Sequence, residues 1–283
     1  SEILIDESNS SKLWKGKFGL TYLTQGNRTS GNRVNLPTLT SSLLPNYYLS
    51  NLGIFALERY VNQKMEIDMG LRLDTKDIEI HRPVQNYSTT IKRDLSNYIG
   101  LSGSMGLKYH WTQNFENHLI LARAFRAPSP NELFSNGVHH GAGAYEIGDP
   151  LLKGETAYNI SLNSLYRTEK LELEIGLYTN TIHHFIYLKP LMDKGVPSFI
   201  TTVRGSFPAF TYEQIDASFK GMDGQVSYSI SESWSLQQKT SIVRAYDELN
   251  NTYMINIPPD RFEYLIRYQF KKHKQYVSWG IRS

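Results

Sequence analysis

The sequence contains no cysteine. A disulfide scaffold and thiolate metal sites are therefore excluded. It also has no run of about 18 apolar residues, so no helix is apolar enough to cross a bilayer. That absence leaves a β-barrel open, because a membrane-crossing strand needs only about 9–11 residues with every second one apolar. An excess of one charge is missing too. The 30 Lys and Arg nearly balance 27 Asp and Glu, for a net charge of +3, and no basic stripe points to nucleic acid. The opening "SEILIDESNS" is polar, has no initiator Met and shows no part of a signal peptide. Catalytic signatures are absent as well. There is no G-x-S-x-G elbow, no H-E-x-x-H, and no serine paired with a histidine at an identifiable spacing. Gly141-Ala142-Gly143 lies outside any strand–turn–helix context, so it is no dinucleotide site. "DTKDIE" at 74–79 reads as a solvated loop and lacks the spacing and glycine of an EF-hand. No enzyme activity and no cofactor are expected.

What the sequence does have is alternation. Aromatics make up 12% of it, with 19 tyrosines, which suits pleated surfaces. In "KMEIDMGLRLD", Met65, Ile67, Met69, Leu71 and Leu73 share one face, with Glu66, Asp68, Gly70 and Arg72 on the other. In "NYIGLSGSMGLKYHW" the odd-numbered Ile99, Leu101, Met105, Leu107, Tyr109 and Trp111 alternate with small or polar residues. "AYNISLNSLYRT", "KLELEIGLYTN" and "RFEYLIRYQF" repeat the pattern. A helix would scatter these positions around its axis. About eleven strands are expected, starting near Trp14, Tyr47, Lys64, Asn97, Phe115, Glu155, Lys170, Phe210, Ser233, Arg261 and Gln275.

The connections alternate as well. Short turns are expected near Asn62-Gln63, Thr112–Asn114, Thr168–Lys170, Ser231–Ser233 and Lys271–Lys274. Long connections are expected near 25–46, 77–96, 127–154, 189–209 and 247–259. A meander with short turns at one end and long ones at the other is the pattern of an outer-membrane β-barrel. Trp14, Tyr109, Trp111, Tyr187, Trp234, Tyr246 and Trp279 sit near strand ends, where aromatic girdles belong. A soluble β-sandwich also alternates, but its strands are shorter and its turns keep no such order. A charged polar face and a uniform, aromatic-ended apolar face favour the barrel.

The stretch "FRAPSPNELFSNGVHHGAGAYEIGDPLLKGETA", from Phe125 to Ala157, resembles the barrel of TonB-dependent outer-membrane receptors. Its pieces are Phe125-Arg126-Ala127-Pro128, Asn131-Glu132-Leu133, Gly137-Val138-His139, Tyr145-Glu146-Ile147-Gly148, Leu152 and Glu155. The resemblance continues in order through "YTNTIHHFIYLKP" (178–190), "YEQIDASFKGMDGQVSY" (212–228) and "IPPDRF" (257–262). Asp223 stands where the family often has Glu. These motifs cover Leu119 to Phe270, about half of the chain, and the first hundred residues match mainly by pattern. The resemblance implies an all-β antiparallel meander, about 11–12 strands of a barrel of about 22 with a plugged lumen. It also implies an energised importer of the bacterial outer membrane. Its partners would be lipid, a plug domain, the TonB complex and a scarce small-molecule ligand: a siderophore, metal chelate, haem, cobalamin or oligosaccharide. Because the plug is missing and the chain ends "WGIRS" without a terminal aromatic, residues 1–283 are expected to be one partial barrel domain. Rival readings are a complete small barrel acting as a passive pore or enzyme, and a soluble β interaction module.

Candidate site residues concentrate in the long connection. His139 and His140, with Glu146 and Asp149, are the candidates for ligand contact. Adjacent histidines on extended backbone point to opposite sides, so they cannot chelate one ion without a bend. His183-His184 meets the same objection, and no metal site is expected. Arg126 should face inward, because Phe115, Leu119, Leu121 and Phe125 take the outward positions. An ion-pair network of Arg126 with Glu132, Glu146 and Glu155 is expected, since a buried arginine needs carboxylates. Pro128 and Pro130 stop the strand. Pro128, Gly137 and Gly148 are expected as structural parts of the motif.

Overall fold

The computed structural model describes residues 2–6, 13–28, 32–33, 36–40, 43–81, 84–85, 90–91, 95–202, 204–270 and 275–283. Among these, one sheet holds sixteen strands. They are β1 (Glu2–Asp6), β2 (Trp14–Asn27), β3 (Tyr47–Val61), β4 (Met65–Ile80), β5 (Leu95–His110), β6 (Phe115–Arg126), β7 (Asn136–His139) and β8 (Ala144–Ile147). They continue as β9 (Glu155–Arg167), β10 (Leu171–Pro190), β11 (Phe199–Thr202), β12 (Gly205–Ser229), β13 (Trp234–Asp247), β14 (Thr252–Tyr253), β15 (Arg261–Gln269) and β16 (Tyr276–Arg282). Among the described residues a single helix, α1 (Pro130–Phe134), lies between β6 and β7. Twelve strands form one continuous path, β1-β2-β3-β4-β5-β6-β9-β10-β12-β13-β15-β16, and its first and last members do not pair with each other.

Each of the eleven expected strands is present, and Glu2–Asp6 is added at the front, paired with Lys17–Thr21. Two boundaries move. Asp74–Glu79, read from sequence as a loop, belongs to β4, and β12 begins at Gly205, five residues ahead of Phe210. The expected turn at Lys271–Lys274 lies outside the described residues.

Register carries the two faces through the sheet. Tyr22 pairs with Leu52, Leu20 with Ile54, and Ile54 with Leu73. Leu71 pairs with Gly103, and Leu119 with both Leu107 and Leu162. Leu162 in turn pairs with Leu177, and Leu177 with Met222. These side chains share one face, which the alternation assigns to lipid. The face is less uniform than the sequence led one to expect. Glu58 takes an outward position while Leu57 turns inward, and Gln238 and Thr240 interrupt the outward row of β13, bonded to each other. The opposite face carries ion pairs. Arg59 reaches Glu66 at 2.6 Å, His110 reaches Glu116 at 3.0 Å, and Arg72 reaches Asp74 at 2.6 Å.

The two ends differ in how they close. At the short-turn end Asn62 accepts from the Lys64 and Met65 amides, both at 2.8 Å. Thr112 and Ser231 close the next turns in the same local way. Trp14 packs against Tyr60, Tyr109 against Trp111, and Trp234 against Tyr268 and Trp279, forming the aromatic girdle there. At the long-connection end a true core forms. Tyr47, Leu49, Ile78 and Ile80 from β3 and β4 bury against Leu133, Phe134, Leu152 and Ile186, with Tyr98 and Tyr212 at its margin. Ile78 and Ile80 lie in phase with Arg72 and Asp74, so this core sits on the polar, inward side of the wall. The connection 127–154 therefore folds back against the inner wall.

Candidate functional site

The site is built at the point where β6 ends. Pro128 and Pro130 interrupt the ladder after Arg126, and Pro130 opens α1 at a position where a missing amide costs nothing. The Glu132 side chain accepts from the Ser129 amide at 2.7 Å, closing the helix start. The same carboxylate takes two hydrogen bonds from Arg126, at 3.0 and 2.9 Å. Arg126 also donates to Glu155 at 2.5 Å, and the other oxygen of Glu155 accepts from the Ile186 amide at 2.6 Å. Glu155 is buried, so its charge is carried by these two partners. Burial works to raise the Glu132 carboxyl, but Arg126 and then Ser129 outweigh it and hold the group below the usual carboxylate range.

Beyond α1 the chain makes a hairpin of β7 and β8, and Gly137 pairs with Glu146 across it. Residues Tyr145–Ile147 then pair in parallel with Ala209–Thr211 of β12. The hairpin is thereby attached to the wall. Gly148 lies against α1, and its amide donates to the Ser135 carbonyl at 2.7 Å. A Cβ at Gly148 would sit 2.5 Å from the Leu133 carbonyl carbon and the Phe134 nitrogen, both backbone atoms, so only glycine fits. Asp149 makes a local turn: its side chain accepts from the Leu151 amide at 2.9 Å and its own amide donates to the Glu132 carbonyl.

The expected four-member ion network divides in two. Arg126, Glu132 and Glu155 form one part, with Lys76 donating to the Pro128 carbonyl at 3.1 Å beside it. Glu146 stands apart from Arg126, because the hairpin turns its carboxylate toward His139 Nδ1, at 2.6 Å, and toward the Tyr212 hydroxyl, at 3.1 Å. His140 points elsewhere and meets Arg204 at 2.7 Å. The two histidines thus diverge, as extended backbone requires. Among the described residues no group of three His, Asp or Glu side chains is placed to hold a metal. His183-His184 forms a bulge between β10 and β12, with His184 at φ 57° and its amide bonded to Asp216.

Sequence reasoning missed Tyr212, Lys76 and Gln214. Gln214 joins the Lys153 and His184 carbonyls, both at 2.8 Å. Tyr212 and Gln214 lie within the quoted "YEQIDAS" segment, so motif position carried a signal for them; Lys76 had none.

An open antiparallel wall with one lipid-type face, one charged face, a girdle at its short turns and an inward-folded long connection is a segment of an outer-membrane-type β-barrel. The family model described as "TonB dependent receptor-like, beta-barrel" matches residues 5–282. The chain belongs to this TonB-dependent receptor family of bacterial outer-membrane proteins. The copper transporter OprC shares its fold at a TM-score of 0.72 and 16% identity, over 92% of this chain and 40% of that one. The Serratia marcescens hemophore receptor HasR, solved with its hemophore HasA and heme, matches at 0.71 and 13% identity, over 99% and 50%. The FrpB iron transporter from Neisseria meningitidis matches at 0.66 and 14%, over 99% and 41%. The chain thus spans about half or less of the length of these proteins, which are transporters and receptors rather than enzymes.

Proposed function

We propose that this chain walls the lumen of an outer-membrane receptor that binds a scarce ligand outside the cell and imports it with TonB-delivered energy. Family membership over residues 5–282 carries this reading. The inner wall supports it. A recess of about 630 Å³ crosses six strands and is lined by polar groups, among them Asn163, Glu174, Asp223, Lys239 and Glu263. Such a surface suits a polar plug domain rather than lipid. At the mouth, Glu146 positions His139, while His139 and His140 are exposed and are the residues offered to a ligand. Asp149 and the Arg126–Glu132–Glu155 group shape the connection that carries them. The ligand belongs to the classes named from the resemblance: a siderophore, metal chelate, haem, cobalamin or oligosaccharide.

The test is uptake. A strain expressing the intact receptor should accumulate one labelled member of such a panel, and deletion of either the receptor or TonB should abolish that accumulation. Accumulation of every ligand that is indifferent to both deletions would overturn the proposal.

A further inference from the structure

The outward row of β13 is polar at two positions where its surroundings are apolar. Gln238 pairs with Val226 on one side and Tyr264 on the other, and Thr240 pairs with Gly224 and Phe262. The flanking rows are apolar. Toward the short turns Leu236 pairs with Tyr228 and Ile266, and toward the long connections Ile242 pairs with Met222. Gln238 lies four residues beyond the girdle residue Trp234, ~14 Å along the strand. With a strand tilt of about 40°, that depth is near the middle of an apolar band about 25 Å tall.

A glutamine amide offers two N–H donors and a carbonyl acceptor. One donor of Gln238 goes to the Thr240 hydroxyl, and among the described residues the amide has no other partner. One N–H and the carbonyl oxygen are left over, at a depth where neither water nor an acyl chain can satisfy them. Leaving them so is costly. Beside them the wall is recessed. A Cβ added at Gly224 would meet only the Thr240 Cβ, at 4.0 Å, so another surface can approach closely there.

We propose that this patch is a self-association surface, on which two copies of the chain meet outward face to outward face about a two-fold axis at Gln238. The leftover groups are one donor and one acceptor on a single planar amide, which makes them complementary to themselves. A two-fold axis sets the free N–H of each Gln238 against the carbonyl oxygen of the other, so both copies are satisfied by one reciprocal pair. The notch at Gly224 admits the facing wall, and the apolar rows on both sides pack across the seam. A different membrane protein would need its own matching donor and acceptor at this depth, whereas a second copy supplies them by symmetry. The inference concerns the outward face and holds whichever ligand the lumen passes.

The experiment uses the intact receptor, first in the membrane and then in neutral detergent. The chain has no cysteine, so a thiol introduced into it is a lone reporter here. On mild oxidation of membranes, Gln238→Cys should give a disulfide-linked dimer. Ala56→Cys, on the outward row of β3 and also four residues from its girdle residue, Tyr60, should not, and neither should the unsubstituted receptor. Sedimentation equilibrium in detergent should show a reversible wild-type dimer, and Gln238→Leu should raise its dissociation constant on the order of tenfold. Leucine suits a lipid-facing position, so Gln238→Leu should fold, which an unchanged monomer Tm checks. A wild-type receptor that stays monomeric at every protein-to-detergent ratio would overturn the proposal, as would a Gln238→Leu dimer as tight as the wild type. Equal cross-linking through Ala56→Cys would do the same, because it would report random encounter. So would a Gln238→Cys cross-link to a different protein, since that protein would then occupy the face.

Discussion

The two ends of this wall are stabilised by different means. The short-turn end is local, since each described turn is closed by a side chain two or three residues away and the girdle rings touch only their neighbours. The long-connection end is non-local. Leu133 and Phe134 bury against residues from β3 and β4, and Arg126 draws together α1 and the start of β9. A damaged turn should therefore remain a local defect, whereas damage to the knot should release a whole connection.

The largest expected effect tests that directly. Phe134→Ala empties a fully buried position and should cost about 3–5 kcal/mol. The measurements are thermal unfolding and limited proteolysis, with new cleavage confined to 127–154. Gly148→Ala should come next, at about 1–3 kcal/mol, because the added Cβ meets backbone atoms that cannot swing aside. Arg126→Met should cost about 1–3 kcal/mol by stranding Glu155 in the interior, and Glu155→Gln in the same background should recover part of it. Both are read by urea unfolding. Asn62→Ala at the opposite end should cost about 0.5–1 kcal/mol and leave cleavage of 127–154 unchanged.

Acid sharpens the same contrast. The folded Glu132 carboxyl lies below its ordinary range, so its contribution is fully present above the unfolded value of about 4.3. It is lost as pH falls from there through the folded value. Proteolysis of the connection should therefore increase below about pH 4, and Glu132→Gln should flatten that dependence. An unchanged pH profile in Glu132→Gln would count against the Arg126–Glu132 pair as the latch.

The wall itself was legible because alternation is imposed locally. Every residue of Met65–Leu73 reports its own face, and register then follows strand by strand. The site was legible only in part. Arg126 pointed inward by phase, and Glu132 and Glu155 lay close enough in sequence to be its partners. Glu146 was misassigned because its position depends on the β7–β8 hairpin and on parallel pairing with β12, neither of which leaves a periodic trace. Asp74–Glu79 looked like a loop because its charges concealed Ile78 and Ile80, which are buried by a connection arriving from fifty residues downstream. Tyr212 and Lys76 enter the site through contacts of that same long range.

The parallel pairing of Tyr145–Ile147 with Ala209–Thr211 also sets an order of events during folding. It cannot form until β12 has been made and aligned, more than sixty residues after the hairpin it receives. The contact from the Asn136 amide to the Leu43 carbonyl reaches almost a hundred residues the other way. Closing such wide spans is slow. The connection must therefore dock last, after the strands on both sides have assembled. Until then Leu133 and Phe134 are uncovered, which makes this stage of assembly the one most open to chaperone capture or aggregation.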